Sequence, residues 1–188
     1  MAKVLLGVTG SVAAIYTPEV VDALRQAGHE VKVVATQASL YFFDAAALTP
    51  AVVVDADEWP GERYQRGNPV LHIELRRWAD LLLIAPLDAN TLAKLALGLA
   101  DNTLTCIWRA WDRTRPVVLA PAMNTLMWNH PATARHVQQV AEDMGGRLHV
   151  VPPVSKLLAC EDEGMGAMAP REALVAAVAQ ALAGAGER

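Results

Sequence analysis

The 188-residue sequence predicts a single α/β domain, 1–188, in which helices cover both faces of a central parallel sheet. Two observations favour this three-layer sandwich. Short apolar runs alternate with segments of helical period, and a run that is apolar at every position is typical of a strand buried on both faces. The composition, 53% hydrophobic and 19% charged, provides enough apolar surface for one sizeable core.

Six runs are predicted as strands and four intervening segments as helices, so that successive strands are joined by right-handed crossovers. Capping or stop residues mark helix ends at Thr17, Gly28, Asp101 and Gly145. The strands are Lys3–Val8, Val31–Ala35, Val52–Val54, Leu81–Ala85, Val117–Ala120 and Leu148–Val151, and the helices are Pro18–Ala27, Asn90–Leu99, Asn102–Trp111 and Pro131–Met144.

Two stretches fit neither pattern, and long connections in a compact α/β domain are either functional lids or disordered. The first, Asp55–Pro69, is polar and contains Trp59, and the second, Pro152–Pro170, contains Cys160. Residues 184–188 are predicted to be a frayed tail.

Charge and cysteine content exclude several classes of protein. The net charge of −4 argues against a nucleic-acid partner, and the arginines at 76, 77, 109, 113 and 115 are interpreted as a solvated face. Two cysteines and a strand-like start without an apolar signal segment predict a cytoplasmic protein with free thiols. No apolar stretch reaches the roughly 18 residues of a membrane span.

Ligands of open parallel sheets bind beyond the carboxyl ends of the strands. The first strand ends in "GVTGSVAA", residues 7–14, whose glycines and hydroxyls suit an anion at a helix start, although an ordinary tight turn explains them equally well. After the second strand, Thr36 and Ser39 stand where a dinucleotide site has an acidic residue. These small hydroxyls favour a mononucleotide phosphate over NAD.

Polar residues also follow two later strands. In "APLDANTLAK", residues 85–94, any of Asp88, Asn90 and Thr91 could be a helix cap, but three polar groups exceed the need for one. In "PVVLAPAMNTLMW", residues 116–128, a buried strand breaks at Pro121 and presents Asn124 between two methionines. An ordinary turn does not require that pattern.

Four motifs in order, "GSVAA", "HIELRRWADLLLIAPLDANTLAKLALGLADNTLT", "APAMNTLMW" and "LACEDEGMGAMA", resemble the flavin-containing cysteine decarboxylases. They are most similar to the group that decarboxylates phosphopantothenoylcysteine in coenzyme A biosynthesis. The resemblance extends from Val4 to Ala169. It implies a flavodoxin-like fold, assembly into homotrimers or multiples of trimers, and FMN at the subunit interface.

The resemblance also implies roles for individual residues. His72 is the active-site base, Asn124 binds the substrate carboxylate, and Cys160 on a flap donates a proton. No metal ligand is implied. The residues implied to contact or surround FMN are Gly10, Ser11, Val12, Thr36, Ser39, Asp88, Ala89, Asn90, Thr91 and Met123.

The chemistry is consistent with these residue types. Loss of CO₂ from a cysteinyl carboxylate leaves a carbanion that nothing delocalises, so an electron sink is required. FMN provides this sink, because it oxidises the thiol to a thioaldehyde and later reduces the enethiolate. Histidine takes a proton readily near neutral pH. A neutral amide at Asn124 holds a carboxylate without stabilising the charge that decarboxylation removes.

Other interpretations stay open at this point. They are a decarboxylase of peptidyl-cysteine, an FMN-binding regulatory subunit of a phosphatase, and a flavin prenyltransferase. Glu161 after the flap cysteine and Pro170 depart from the family pattern, and the absence of a fused synthetase domain predicts a separate ligase. Cys106 is assigned to packing, and Trp108 and Trp111 are expected to provide apolar surface for the oligomer.

Overall fold

A computed structural model describes residues 1–157 and 163–185. Its main feature is a five-stranded parallel sheet with the order β2-β1-β3-β4-β5, accompanied by an antiparallel hairpin, β6–β7. The predicted α/β fold is therefore confirmed. The strands are β1 Lys3–Val8, β2 Glu30–Ala35, β3 Leu81–Leu87, β4 Val117–Pro121, β5 Leu148–Val150, β6 Val154–Leu157 and β7 Glu163–Ala167.

Eight α-helices and three short 3₁₀ segments are present in the described residues. The α-helices are α1 Thr17–Gln26, α2 Asp55–Glu58, α3 Leu71–Trp78, α4 Ala89–Leu97, α5 Thr103–Arg109, α6 Thr125–Trp128, α7 Pro131–Met144 and α8 Arg171–Ala185. The 3₁₀ segments are Val12–Tyr16, Ser39–Tyr41 and Ala45–Ala47. Within the described ranges, no helix is both long and apolar enough to cross a membrane.

Side chains alternate along the strands between two apolar cores, one on each face of the sheet. In β1, Leu6 faces the core that α1 and α8 cover, whereas Leu5 faces the core beneath α3, α4, α5 and α7. Strands buried on both faces explain the continuous apolar runs of the sequence. The crossover from β1 to β2 thus lies on one face, and the one from β3 to β4 lies on the other. In a sheet of this topology the ligand crevice lies where they diverge, at the carboxyl ends of β1 and β3.

The predicted strand Val52–Val54 is wrong, because this segment forms only a single bridge, between Val34 and Val53. The Val53 N–H donates to the carbonyl of Val33 at 2.9 Å. One residue later, the Val54 N–H donates to the Asp57 carboxylate at 2.8 Å, which begins α2. The chain therefore leaves the sheet before a strand can form.

Helices α2, α3, α6 and α8 were not predicted from the sequence. The stretch Asp55–Pro69 contains α2 and leads into α3, which carries His72. Helix α8 extends to Ala185, so it includes the first two residues of the predicted frayed tail. Pro170 lies just before α8, and its carbonyl accepts the N–H of Ala173 at 2.9 Å. Pro170 thus belongs to a helix start, where proline is well tolerated.

Candidate active site

Thr9 joins the loops that follow β1 and β3. Its hydroxyl donates to the carbonyl of Pro86 at 2.8 Å and accepts the N–H of Asp88 at 2.7 Å. The Thr9 N–H also donates to Pro86, at 3.2 Å. Because Thr9 is fully buried, these bonds hold the two strand ends in one arrangement.

Gly10 keeps the crevice beside this junction open. A Cβ atom at this position would lie 2.7 Å from the Cβ of Ala38 and 3.3 Å from Oδ2 of Asp88. The loops after β1, β2 and β3 therefore converge on Gly10, and any side chain would fill the space between them. A close backbone approach of this kind is what a bound phosphate or ring system requires.

Thr36 and Ser39 differ in what their hydroxyls can still bind. The Ser39 hydroxyl donates to the carbonyl of Thr36 at 2.7 Å, so it stabilises the turn after β2. The Thr36 hydroxyl is buried and finds no hydrogen-bond partner among residues 1–157 and 163–185. A buried hydroxyl without a partner is costly, so Thr36 is the group best suited to a ligand here.

Ser11 and Val12 form the rim of the crevice. The Ser11 hydroxyl faces the N–H of Ala13 at 3.4 Å, a long contact at the start of the first 3₁₀ segment. Val12, Ile15 and Tyr16 follow, with side chains 46%, 46% and 43% exposed. An apolar strip therefore borders the crevice.

The loop after β3 contains one helix cap and further polar residues. Oδ1 of Asp88 accepts the N–H of Thr91 at 2.6 Å and caps α4, so the cap interpretation is correct for Asp88. Thr91 is buried, Ala89 is half-buried and Asn90 is exposed. Asn90 is the member of this loop whose side chain is most accessible to a ligand.

Asn124 stands between β4 and the hairpin. Its Oδ1 accepts the N–H of Leu126 at 2.8 Å and caps α6. The preceding residue, Met123, is 9% exposed, and its N–H donates to the carbonyl of Gly166 in β7 at 3.0 Å. The hairpin is thereby attached to the Asn124 segment. Cys160 falls between β6 and β7, outside the described residues.

His72 lies in the first turn of α3 and is paired with Glu58. Nδ1 of His72 is 2.6 Å from Oε1 of Glu58, and the His72 backbone N–H donates to Oε2 at 2.8 Å. The Glu58 side chain is 6% exposed and that of His72 is 24% exposed. Glu58 could not be identified from the sequence, because it lies 14 residues from His72 in a stretch without a regular pattern. Its acidic character next to a tryptophan was the one available signal.

The far end of α3 is held by Arg115. Its Nη1 donates to the carbonyls of Arg76 at 3.0 Å and Ala79 at 2.5 Å. The interpretation of Arg115 as part of a solvated face is therefore wrong. An arginine on the last carbonyls of a helix satisfies acceptors that the helix itself leaves open.

A comparison with protein-family models matches residues 1–183 to the family described as Flavoprotein. The chain belongs to the Flavoprotein family. The crevice of this flavoprotein lies at the carboxyl ends of β1 and β3, which is the ligand position expected for the strand order 2-1-3-4-5.

Similar proteins are cysteine decarboxylases and FMN-binding proteins. A mouse protein named phosphopantothenoylcysteine decarboxylase is 51% identical over 177 residues, which cover 94% of this chain and 85% of the mouse protein. Among solved structures, a PPC decarboxylase with a cysteine-to-serine mutation, complexed with pantothenoylaminoethenethiol, has a TM-score of 0.87 and 49% identity, covering 95% of this chain and 97% of that one.

Two further structures extend the comparison. The FMN-binding protein AtHal3 has a TM-score of 0.83 and 49% identity, covering 95% of each chain. SpaF, described as an FMN-dependent cysteine decarboxylase, has a TM-score of 0.75 and 32% identity, covering 96% of this chain and 97% of that one. This flavoprotein is thus more similar to the PPC decarboxylase structure than to SpaF.

Trp108 and Trp111 of this flavoprotein do not provide exposed apolar surface for an oligomer, contrary to expectation. Trp108 and Trp111 are 8% and 6% exposed, within the core beneath α5. Their indole N–H groups donate to the carbonyls of Leu95 at 3.2 Å and Arg115 at 3.3 Å. Both indole rings are therefore buried and hydrogen-bonded within the chain. Apolar surface is instead exposed at other positions, including the strip beside the crevice.

Proposed function

We propose that this protein is an FMN-dependent carboxy-lyase that converts 4'-phospho-N-pantothenoylcysteine to 4'-phosphopantetheine in coenzyme A biosynthesis. The observation that carries this proposal is the 49% identity, over 95% of the chain, to a PPC decarboxylase complexed with pantothenoylaminoethenethiol. An alignment that covers 95% of the chain spans the site segments as well as the core, so it supports a shared substrate as well as a shared fold.

The crevice fits FMN on two independent grounds. Gly10 leaves a space that a methyl group would fill, and Thr36 offers a buried hydroxyl in need of a partner. We assign the phosphate to the Thr36 side of the crevice, and the isoalloxazine to the side formed by Ser11, Val12 and the loop after β3. When bound there, FMN would supply a two-electron acceptor and donor, which is the electron sink that loss of CO₂ requires.

The residues of the chain then handle protons and the carboxylate. His72 accepts the proton of the substrate thiol. The amide of Asn124 holds the substrate carboxylate, while its Oδ1 continues to cap α6. A neutral donor serves here because a cation would favour the charged ground state. Cys160 donates a proton to the carbon of the enethiolate.

We propose that the protein is a homotrimer or a multiple of trimers, with FMN at the subunit interface. The exposed apolar strip beside the crevice supports this, because Val12 and Ile15 would be covered by a second subunit adjacent to the cofactor. Light scattering should give three subunits or a multiple of three. A stable monomer or dimer would contradict the interface site. We place the reaction in the cytoplasm, because free thiols persist in a reducing compartment.

The direct test is to incubate the purified protein with phosphopantothenoylcysteine and measure CO₂, and to identify the bound cofactor by mass spectrometry. We expect FMN and stoichiometric CO₂. Recovery of FAD, or CO₂ release only from peptides with a C-terminal cysteine, would contradict the proposal. Absence of CO₂ from both substrates would instead favour a regulatory subunit.

Two variants separate the steps of the reaction. Cys160→Ser should still release CO₂ but accumulate the unsaturated enethiol, because a hydroxyl is a far weaker acid than a thiol. His72→Asn should release no CO₂, because the first deprotonation lacks its base. Full production of phosphopantetheine by Cys160→Ser would remove the cysteine from the mechanism, and parent-rate CO₂ release by His72→Asn would remove the histidine.

A further inference from the structure

Both carboxylate oxygens of Glu58 contact a single residue, His72. Oε2 accepts the His72 backbone N–H at 2.8 Å, and Oε1 lies 2.6 Å from Nδ1. The Glu58 side chain is 6% exposed, so water does not compete effectively for these oxygens. Two short contacts from one buried carboxylate determine the orientation of the imidazole ring.

The same contacts determine which ring nitrogen carries hydrogen. A backbone N–H is always a donor, and an ionised carboxylate is only an acceptor. Nδ1 must therefore be the protonated nitrogen of the neutral ring, which leaves the lone pair on Nε2. A base that removes a proton from substrate needs this lone pair.

We propose that Glu58 is a positioning residue, which holds His72 in the tautomer whose Nε2 accepts the proton of the substrate thiol. This inference rests on the proposed function. The thiol S–H bond breaks, its electron pair stays on sulfur as a thiolate, and the proton binds Nε2. The Nδ1 hydrogen stays on the ring, and the resulting imidazolium lies against the Glu58 carboxylate.

Helix α2 presents Glu58 from a fixed position. Oδ1 of Asp55 accepts the N–H of Thr103 at 2.9 Å, which ties α2 to the start of α5. Oδ2 of Asp57 accepts the N–H of Val54 at 2.8 Å, which closes the first turn of α2. The three carboxylates of this short helix therefore have separate partners, and one of the neighbours can act as a control for Glu58.

Glu58→Gln tests the proposal with almost no change in shape. The His72 backbone N–H still requires the remaining carbonyl oxygen, so the new NH₂ group faces Nδ1. Nδ1 must then accept, and the hydrogen moves to Nε2. We expect ¹⁵N NMR to show protonated Nδ1 in the parent and protonated Nε2 in Glu58→Gln. Loss of a correctly protonated general base should lower kcat about 10²- to 10⁴-fold. KM and bound FMN should stay near their parent values.

Asp57→Asn is the matched control, because it removes one carboxylate charge from the same helix. One carboxylate oxygen of Asp57 accepts a hydrogen bond from the Val54 N–H, and the side-chain carbonyl of asparagine can accept the same bond. We expect this variant to keep the parent tautomer and kcat. An equal loss of kcat in Asp57→Asn and Glu58→Gln, with the parent tautomer in both, would overturn the positioning role.

The tautomer of the parent decides the inference even if Glu58→Gln fails to fold. Protonated Nε2 in the parent would overturn it, as would a Glu58→Gln variant that folds and works at the parent rate. If the parent releases no CO₂ from phosphopantothenoylcysteine, the proposed function fails, whereas the ¹⁵N spectra still establish or refute the pairing of Glu58 with His72.

Discussion

Replacement of Gly166 by alanine tests whether the hairpin must rest on the Asn124 segment. Gly166 is buried in β7 with φ of +155°, a conformation unfavourable for residues with a side chain. A Cβ atom there would lie 2.1 Å from the carbonyl oxygen of Met123 and 3.4 Å from the carbonyl carbon of Asn124. The two backbones would have to separate by about 1 Å to restore an ordinary contact.

That separation has a cost that can be worked out from the contacts. It would break the 3.0 Å bond from the Met123 N–H to the Gly166 carbonyl, a loss of about 1 kcal/mol. If the hairpin instead stays in place, the steric overlap costs about 1–3 kcal/mol. The hairpin lies outside the five-stranded sheet, so we expect it to detach while the domain stays folded. A shift of about 1 Å in a positioning element lowers the rate roughly 10²-fold.

The assay compares CO₂ release, bound FMN and the rate of proteolytic cleavage within 152–167. Gly166→Ala should lose about 10² in kcat, retain FMN and be cleaved faster than the parent. Gly184→Ala is the control, because its Cβ would meet no atom within 4 Å and it lies in α8, where alanine is favoured over glycine by about 0.5–1 kcal/mol. Parent-rate turnover and an unchanged rate of cleavage in Gly166→Ala would show that the hairpin need not rest on the Asn124 segment.

Thr36 and Asn124 of the site, and Cys106 outside it, can be tested in the same way. Thr36→Val should stabilise the cofactor-free protein by about 1 kcal/mol, because it removes a buried hydroxyl without a partner among the described residues. It should also weaken FMN binding. Calorimetry measures the stability and fluorescence titration the affinity, and an unchanged affinity for FMN would show that Thr36 does not bind the phosphate. Asn124→Asp should keep the α6 cap and FMN but abolish CO₂ release, since its charge repels the substrate carboxylate in a partly desolvated pocket; turnover at the parent rate would make Asn124 a turn residue only. Burial raises the pKa of the Cys106 thiol, with further contributions from Glu58, Asp101 and Asp55. Because the pKa is higher in the folded state, stability is lost as the pH rises from the pKa of the unfolded chain through that of the folded chain. A raised pKa also lowers the fraction of thiolate, so in a Cys160→Ser background Cys106 should react with iodoacetamide more slowly when folded than in urea. Equal rates would contradict the shift.

The five-stranded sheet and much of the crevice could be predicted from the sequence. Continuous apolar runs identify doubly buried strands locally, and all five strands of the sheet lie within three residues of their predicted bounds at each end. The ligand groups follow directly after strand ends, so their arrangement comes from the topology once the strands are known. Gly10, Thr36 and Asp88 could therefore be predicted to meet at one edge of the sheet.

Which polar groups already have a hydrogen-bond partner within the chain could not be predicted, because it depends on packing. Ser39 and Thr36 look equivalent in the sequence, yet one hydroxyl binds backbone and the other does not. Trp108 and Trp111 looked like oligomer surface, but the packing of α5 on the sheet buries them. Local patterns report the periodicity of a segment and do not report which face is covered.

The pairing of Glu58 with His72 has the same origin. The two residues are separated by an irregular stretch that contains no periodic signal, and their contact exists because α2 is tied to α5 through Asp55 and Thr103. Likewise, Met123 and Gly166 meet because the hairpin returns to the segment that follows β4, although 42 positions of the chain lie between the two residues. Contacts between distant segments depend on how the helices and loops pack against the sheet, and that packing is a property of the whole chain.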